Sequence, residues 1–254
     1  MVSLWYVTGA LLGAATAWRL GWLDRAGAGV AAIVGGWILG TTGAAGGVPL
    51  GVFFVTSTLL GRLPGRSNGR RHAARDARQV LANGGVAAGA AIGIALGGGK
   101  LLAAAMAGAL AAATADTWAT EVGTRHGGRP RLLGFGPHLA PGASGGVSPQ
   151  GTAAGVAGAA CIALAAAAVT LGAGIWPVGL GGIAGLLADS ALGATLQALY
   201  RCPSCGGQGD APQDACGVQG SLVRGWPWLD NDAVNLGATL TGAAVALLLQ
   251  AIRR

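Results

Sequence analysis

The chain has 254 residues, 52% of them hydrophobic and only 10% charged, with a mean hydropathy of +0.57. Soluble domains carry about 25% charged residues, so this composition excludes an ordinary water-soluble protein and points to a polytopic membrane protein. The net charge of +7 does not indicate nucleic acid, because the Lys and Arg lie between apolar runs and no aromatic stacking platform is interleaved with them.

Each span needs about 20 mostly apolar residues. In chain order the apolar runs predict helices near 2–18, 26–41, 44–61, 81–98, 101–119, 149–172, 175–200 and 232–251. The first begins MVSLWYVTG with no basic lead, so it is expected to stay as a span rather than be cleaved. The expected fold is all-α, a bundle of about eight spans, with six to eight compatible with the pattern. A single transmembrane domain over 1–254 is expected, with loops near 62–80, 121–148 and 201–231. The 49 glycines sit inside these runs beside Ala, where small residues let helices approach closely; a compositional bias explains part of them.

Orientation follows from Lys and Arg. Arg19 and Arg25, then Arg62, Arg66, Arg70, Arg71, Arg75 and Arg78, then Arg125, Arg129 and Arg131, then Arg201 and Arg224 all fall on one side of an eight-span chain. That side is expected to be cytoplasmic, at the cell (inner) membrane. Lys100, Arg253 and Arg254 fall opposite.

All nine acids lie in or beside the same segments. Carboxylates within membrane helices are costly and are functional candidates by default. Asp116, in ADTWATEVG, and Asp189, in GGIAGLLADSALGATLQALY, are of this kind. On a helix Asp116 aligns with Thr120, and Thr117 with Glu121, giving hard oxygen donors that suit Mg²⁺. In RHAARDARQVLANGG, Arg75, Gln79 and Asn83 share one helical face, and Arg78 lies close by. A basic helix on anionic lipid is the alternative for that stretch. In PGASGGVSPQG, Gly145 and Gly146 offer backbone amides to phosphate, and Ser148 with Pro149 reads as a helix start. Ser190, Thr195 and Gln197 follow Asp189, and GWPWLDNDAVN gathers Asp230, Asn231, Asp232 and Asn235, which could equally cap a helix. His72, His126 and His138 are expected in loops without an obvious partner. Cys161 falls in a span, whereas Cys202, Cys205 and Cys216 begin like a zinc knuckle but lack a fourth ligand.

The segments ARQVLANGG, ADTWATEVG, GGVSPQGT, LLADSALGATLQALYRCPSCG and LDNDAVN, in that order over about residues 60–240, resemble the integral membrane family that includes the plant phytyl-phosphate kinase of vitamin E synthesis. Relatives often carry a His before the third loop cysteine, where this chain has Ala215. The resemblance implies transfer of a phosphoryl group from CTP or another nucleotide to a polyprenyl or phytyl monophosphate. On that reading Asp116, Asp189, Glu121 and Asp232 would hold Mg²⁺, and Arg75 and Arg78 would neutralise the transferred phosphate. Gln79, Asn83, Thr117, Thr120, Gly145, Gly146, Ser148, Ser190, Gln197, Asn231 and Asn235 would bind nucleotide and substrate. The partners would be a lipid phosphate in the bilayer and a cytosolic nucleotide. A transporter or channel is the rival class, since polar groups in Gly-rich helices also mark ion pathways.

Overall fold

The computed structural model describes residues 4–63, 74–169, 171–213 and 217–253. Arg66, Arg70, Arg71, His72, Ala215, Cys216 and Arg254 lie outside the described residues. Eight α-helices follow the apolar runs: α1 (Leu4–Arg19), α2 (Arg25–Thr42), α3 (Ala44–Arg62), α4 (Ala77–Gly93), α5 (Gly99–His126), α6 (Pro149–Ala168), α7 (Ile175–Thr195) and α8 (Asn231–Ile252).

Short polar side chains set several of the starts. Asp24, Asp76, Ser148 and Asp230 each cap a helix, accepting from the amides of Gly27, Gln79, Gly151 and Ala233 respectively. Each satisfies an amide that the first helical turn leaves without a carbonyl partner. Pro149 follows Ser148 at the first helical position, as the sequence predicts.

Helix α5 is the central post. It packs against α3, α4, α6, α7 and α8, and every residue from Ala103 to Ala115 is buried. The contacts are made by the smallest side chains. A Cβ added at Gly182 of α7 would come within 2.8 Å of the Ala111 Cβ, and one at Gly242 of α8 within 2.7 Å of the Ala112 Cβ. Backbones therefore approach closely, and dispersion between them does the work that water exclusion does in soluble cores. Two side-chain bonds tie the post's surroundings together. Trp118 Nε1 of α5 donates to Thr56 Oγ1 of α3 at 3.2 Å, and Thr239 Oγ1 of α8 donates to the Ala82 carbonyl of α4 at 3.0 Å.

Among the described residues, five helical stretches are long and apolar enough to cross a membrane: Ala44–Arg62, Ala77–His126, Pro149–Ala168, Ile175–Thr195 and Asn231–Ile252. The expected eight is therefore too high by this measure. Helix α1 has only 16 residues, and α2 opens on Arg25 and closes on Thr41 and Thr42. The 50-residue stretch Ala77–His126 is a hairpin. Its wide turn, Ile94–Gly98, contains Gly97 with a φ of 99°, a conformation that favours glycine. Several boundaries also move: α4 starts at Ala77 rather than near 81, and α6 ends at Ala168 rather than near 172. The span expected to run to residue 200 stops at Thr195, and His126, expected in a loop, closes α5.

The loops carry two small antiparallel sheets. Strand β1 (Arg131–Leu132) pairs with β2 (Gly146–Val147), with Arg131 opposite Val147. Strands β3 (Leu199–Arg201), β4 (Gln208–Gly209) and β5 (Ser221–Arg224) form a second sheet with β3 in the middle. Because the helices alternate in direction, the end of α1, the start of α2, the end of α3, the start of α4 and their counterparts through α8 gather at one end of the bundle.

Candidate functional site

A cavity of about 440 Å³ opens at that end. Every helix from α3 to α8 contributes a wall, and Trp22 from the α1–α2 connection adds another.

Its deepest chemistry comes from α5 and α7. Asp116 and Asp189 both line the cavity, with their carboxyl groups within hydrogen-bonding reach of each other. Among the described residues, neither forms an ion pair with a Lys, Arg or His. Neither caps a helix, since both sit inside their own helices rather than at a first turn. The two acids are therefore held together by close α5–α7 packing: Gly185, one turn before Asp189, lies against Ala112, one turn before Asp116.

Arg75 brings positive charge to the same cavity. The segment before α4 is stitched to the α1–α2 connection, with Arg75 N–H donating to the Trp22 carbonyl at 3.1 Å and Asp24 N–H to the Arg75 carbonyl at 3.1 Å. This fixes the guanidinium 5.8 Å from the ring centres of both Phe53 and Phe54, a cation–π seat. Burial pulls the Arg75 guanidinium below its ordinary value, and Glu121 nearby pushes it back up. An arginine so placed stays charged at any physiological pH.

Gln79, Asn83, Thr117, Thr120, Glu121, Gly145, Gly146, Ser148, Ser190, Gln197, Asn231 and Asn235 also line the cavity. Gln79 and Asn83 share one face of α4, but Arg75 lies before the Asp76 cap and reaches the cavity from the extended segment bridged to Leu23, not from the helix as expected. Several of these groups are already engaged. Asn83 Nδ2 donates to the Gln79 carbonyl at 3.0 Å, Thr117 Oγ1 to the Ala113 carbonyl at 2.8 Å, and Ser148 caps α6. Gly145 has a φ of 76°, and a Cβ there would sit 2.5 Å from Ala194 Cα, so glycine is what lets this loop lie against the end of α7.

Four further expectations change. Arg78 does not line the cavity. Its side chain is 67% exposed and reaches Asp230 at 2.6 Å and Asp232 at 3.7 Å. The reason is angular: one residue on a helix is about 100° of rotation, so Gln79 faces inward while Arg78 faces the start of α8. Asp232 is drawn into that same rim cluster and does not join Asp116 and Asp189. Glu121 lines the cavity, but its carboxylate accepts from Arg125 Nη1 at 2.6 Å. Among the described residues there is accordingly no group of three or more His, Cys, Asp or Glu poised for a metal; two acids stand together, not four. The Gly146 N–H donates to the Ala143 carbonyl at 3.0 Å, so it is spent inside its own loop rather than offered to an anion.

The sequence reading passes over other wall residues. Ser57 and Thr58 of α3 are buried, and among the described residues their hydroxyls have no hydrogen-bond partner. The buried Gln197 Nε2 is likewise without a partner. Buried polar atoms are nearly always hydrogen-bonded, so three such atoms around one cavity are free to bond water or a polar ligand there. The polar triplet Thr56–Thr58 late in an otherwise apolar run was the available signal. Arg62, read only as a topology signal, also borders the cavity, with its guanidinium 5.7 Å from the Trp22 ring centre.

A family model described as integral membrane protein DUF92 matches residues 8–243. The chain belongs to that family. Over 145 residues it is 31% identical to an uncharacterized membrane protein of Synechocystis sp. (strain ATCC 27184 / PCC 6803 / Kazusa); this covers 54% of the chain and 44% of the relative, under half of that protein's length. No solved structure matches the chain. The matched span in the DUF92 family takes in every wall of the cavity, from Trp22 to Asn235.

Proposed function

We propose that this chain is a membrane-embedded phosphotransferase that moves a phosphoryl group from CTP, or another nucleoside triphosphate, to a polyprenyl or phytyl monophosphate. The observation that carries this reading is the meeting of Asp116 and Asp189 at a cavity that also holds the Arg75 cation. Two neighbouring carboxylates that pair with no cation among the described residues, beside hydroxyl and amide groups left without partners there, are a donor set for a divalent ion and phosphate oxygens. Its size, about 440 Å³, falls within the range of small-molecule sites.

The residues fit magnesium, which is usually held by one or two carboxylates together with substrate phosphates. Asp116 and Asp189 would hold it, and once bound it would supply charge neutralisation at the phosphate oxygens. Arg75 would clamp phosphate with its fork of N–H donors. Ser57, Thr58 and the Gln197 amide would donate to the remaining oxygens. The acceptor phosphate is already anionic, so the chain needs no general base; positioning and charge suffice for phosphoryl transfer. We place the cavity at the cytoplasmic side of the cell membrane. Arg19, Arg25, Arg62, Arg75, Arg78 and Arg125 belong to its end of the bundle, against Lys100 and Arg253 at the other.

A transporter is less well supported. From Ala103 to Ala115 the central helix is apolar except for Thr114, whose hydroxyl is spent on the Leu110 carbonyl at 2.7 Å. No polar track follows α5 toward the far end. The test uses purified protein in nanodiscs with phytyl monophosphate, γ-labelled CTP and Mg²⁺. The expected result is labelled phytyl diphosphate that disappears when EDTA is added. Absence of diphosphate with CTP, ATP, GTP and UTP alike, together with ion or metabolite flux in liposomes, would overturn the proposal.

A further inference from the structure

The cavity is not closed by polar residues alone. Leu186 and Leu187 of α7 also form part of its wall. Leu186 is buried against α6, where a Cβ added at Gly155 would meet its methyl at 2.6 Å. Leu187 is different, being 61% exposed. It follows Trp176 and Leu180 along one stripe of α7, at a spacing that puts all three on one helical face. All three are exposed, in a helix long and apolar enough to cross a membrane. One side chain therefore belongs both to the outer apolar stripe of α7 and to the wall of the polar cavity. Ser190, one turn beyond Leu186, and Thr152 in the first turn of α6 border the cavity at the same place. Helices α6 and α7 are joined at the far end, where α6 stops at Ala168 and α7 begins at Ile175. Their cavity-side ends are the ones without a short tether.

We propose that the seam between α6 and α7 beside Leu187 opens laterally to admit the hydrocarbon chain of a lipid phosphate. The phosphate would face Arg75 and the two carboxylates, while the chain would leave sideways past Leu186 and Leu187 into the bilayer. This rests on the phosphotransferase reading for the identity of the headgroup. The occupant is set by what the opening joins: a cavity whose wall holds a fixed cation and also a side chain of the outer apolar stripe suits one molecule that is anionic at its head and greasy along its tail.

The test is photo-crosslinking of the full-length protein in nanodiscs, with a C20 prenyl monophosphate carrying a diazirine midway along its chain. Adducts are mapped by mass spectrometry, without nucleotide. Adducts within residues 149–160 of α6 and 183–191 of α7, competed away by unlabelled prenyl monophosphate but not by the corresponding alcohol, are expected. Leu187→Trp should lower that labelling at least fivefold, whereas Leu180→Trp, farther along the same stripe, should not. Adducts confined to α3 and α4, or no competable adducts at all, would overturn the proposal. Adducts at α6 and α7 in a protein that makes no diphosphate with any nucleotide would keep the opening and discard the kinase. A further readout is chain selectivity: Leu187→Trp should raise KM for the C20 substrate while leaving KM for a C5 monophosphate unchanged.

Discussion

Two acidic pairs lie at the same end of the bundle and differ in almost everything else. Asp230 and Asp232 flank the start of α8. Asp230 caps that helix, and Arg78 reaches both acids from α4. Asp116 and Asp189 come from inside α5 and α7, cap nothing, and face each other without a basic partner among the described residues. An acid at a helix start is stabilised by free amides and the helix dipole, and here a cation as well; its presence is explained by structure alone. An acid inside a membrane helix, beside another acid, has no such account. The comparison teaches that residue type is a poor guide to a site and that depth within the helix is a better one.

The sharpest way to break this comparison is to neutralise the inner pair. Asp116→Asn and Asp189→Asn should each lower diphosphate formation by roughly 10³-fold or more, the range seen when a principal charge-stabilising group of phosphoryl transfer is lost. Unchanged thermal unfolding in detergent would separate this from misfolding, and a loss below tenfold would remove the pair from the chemistry. Next comes the cavity cation: Arg75→Ala should lower kcat by about 10²-fold. Arg75→Lys should recover only part of it, because an ammonium lacks the two-pronged fork.

The outer pair should respond in a different currency. Asp230→Ala should cost about 1 kcal/mol of stability, as a lost N-cap does, measured as a lower unfolding midpoint with kcat within about threefold of wild type. Smallest of all, Asp232→Asn and Arg78→Ala should each change kcat by less than about threefold, since a solvent-screened ion pair at the rim contributes little. A hundredfold loss in either rim variant would merge the two pairs into one site and undo the distinction.

Much of the helical frame is legible because apolar runs and caps are local signals. Ser148–Pro149 announces α6 within two residues, and all eight helices fall on the expected runs. The alignment of Gln79 and Asn83 is legible for the same reason, since helical periodicity is local; the place of Arg75 is set instead by backbone bonds to Trp22 and Asp24, far back along the chain. The fate of Arg78 is not, because it is decided by Asp230 and Asp232 on a helix far along the chain. Glu121 reads as a metal ligand until its partner one turn later, Arg125, is seen to take the carboxylate. Ser57 and Thr58 pass unnoticed because short hydroxyl residues usually bond their own helix's carbonyls; only the fold shows that these two do not. The number of membrane spans is overcounted because α1 and α2 carry the apolar character of spans without their length or density.

One consequence follows from the glycine and alanine seam between α5 and α7. Gly182 and Gly185 lie directly on Ala111, Ala112 and Ala159. No long side chain separates the two backbones, so no rotamer change can widen or narrow the gap between them. The main-chain positions that carry Asp116 and Asp189 are thus held at a fixed gauge, like the arms of a calliper, and only the rotation of two short side chains can adjust the distance between their carboxylates.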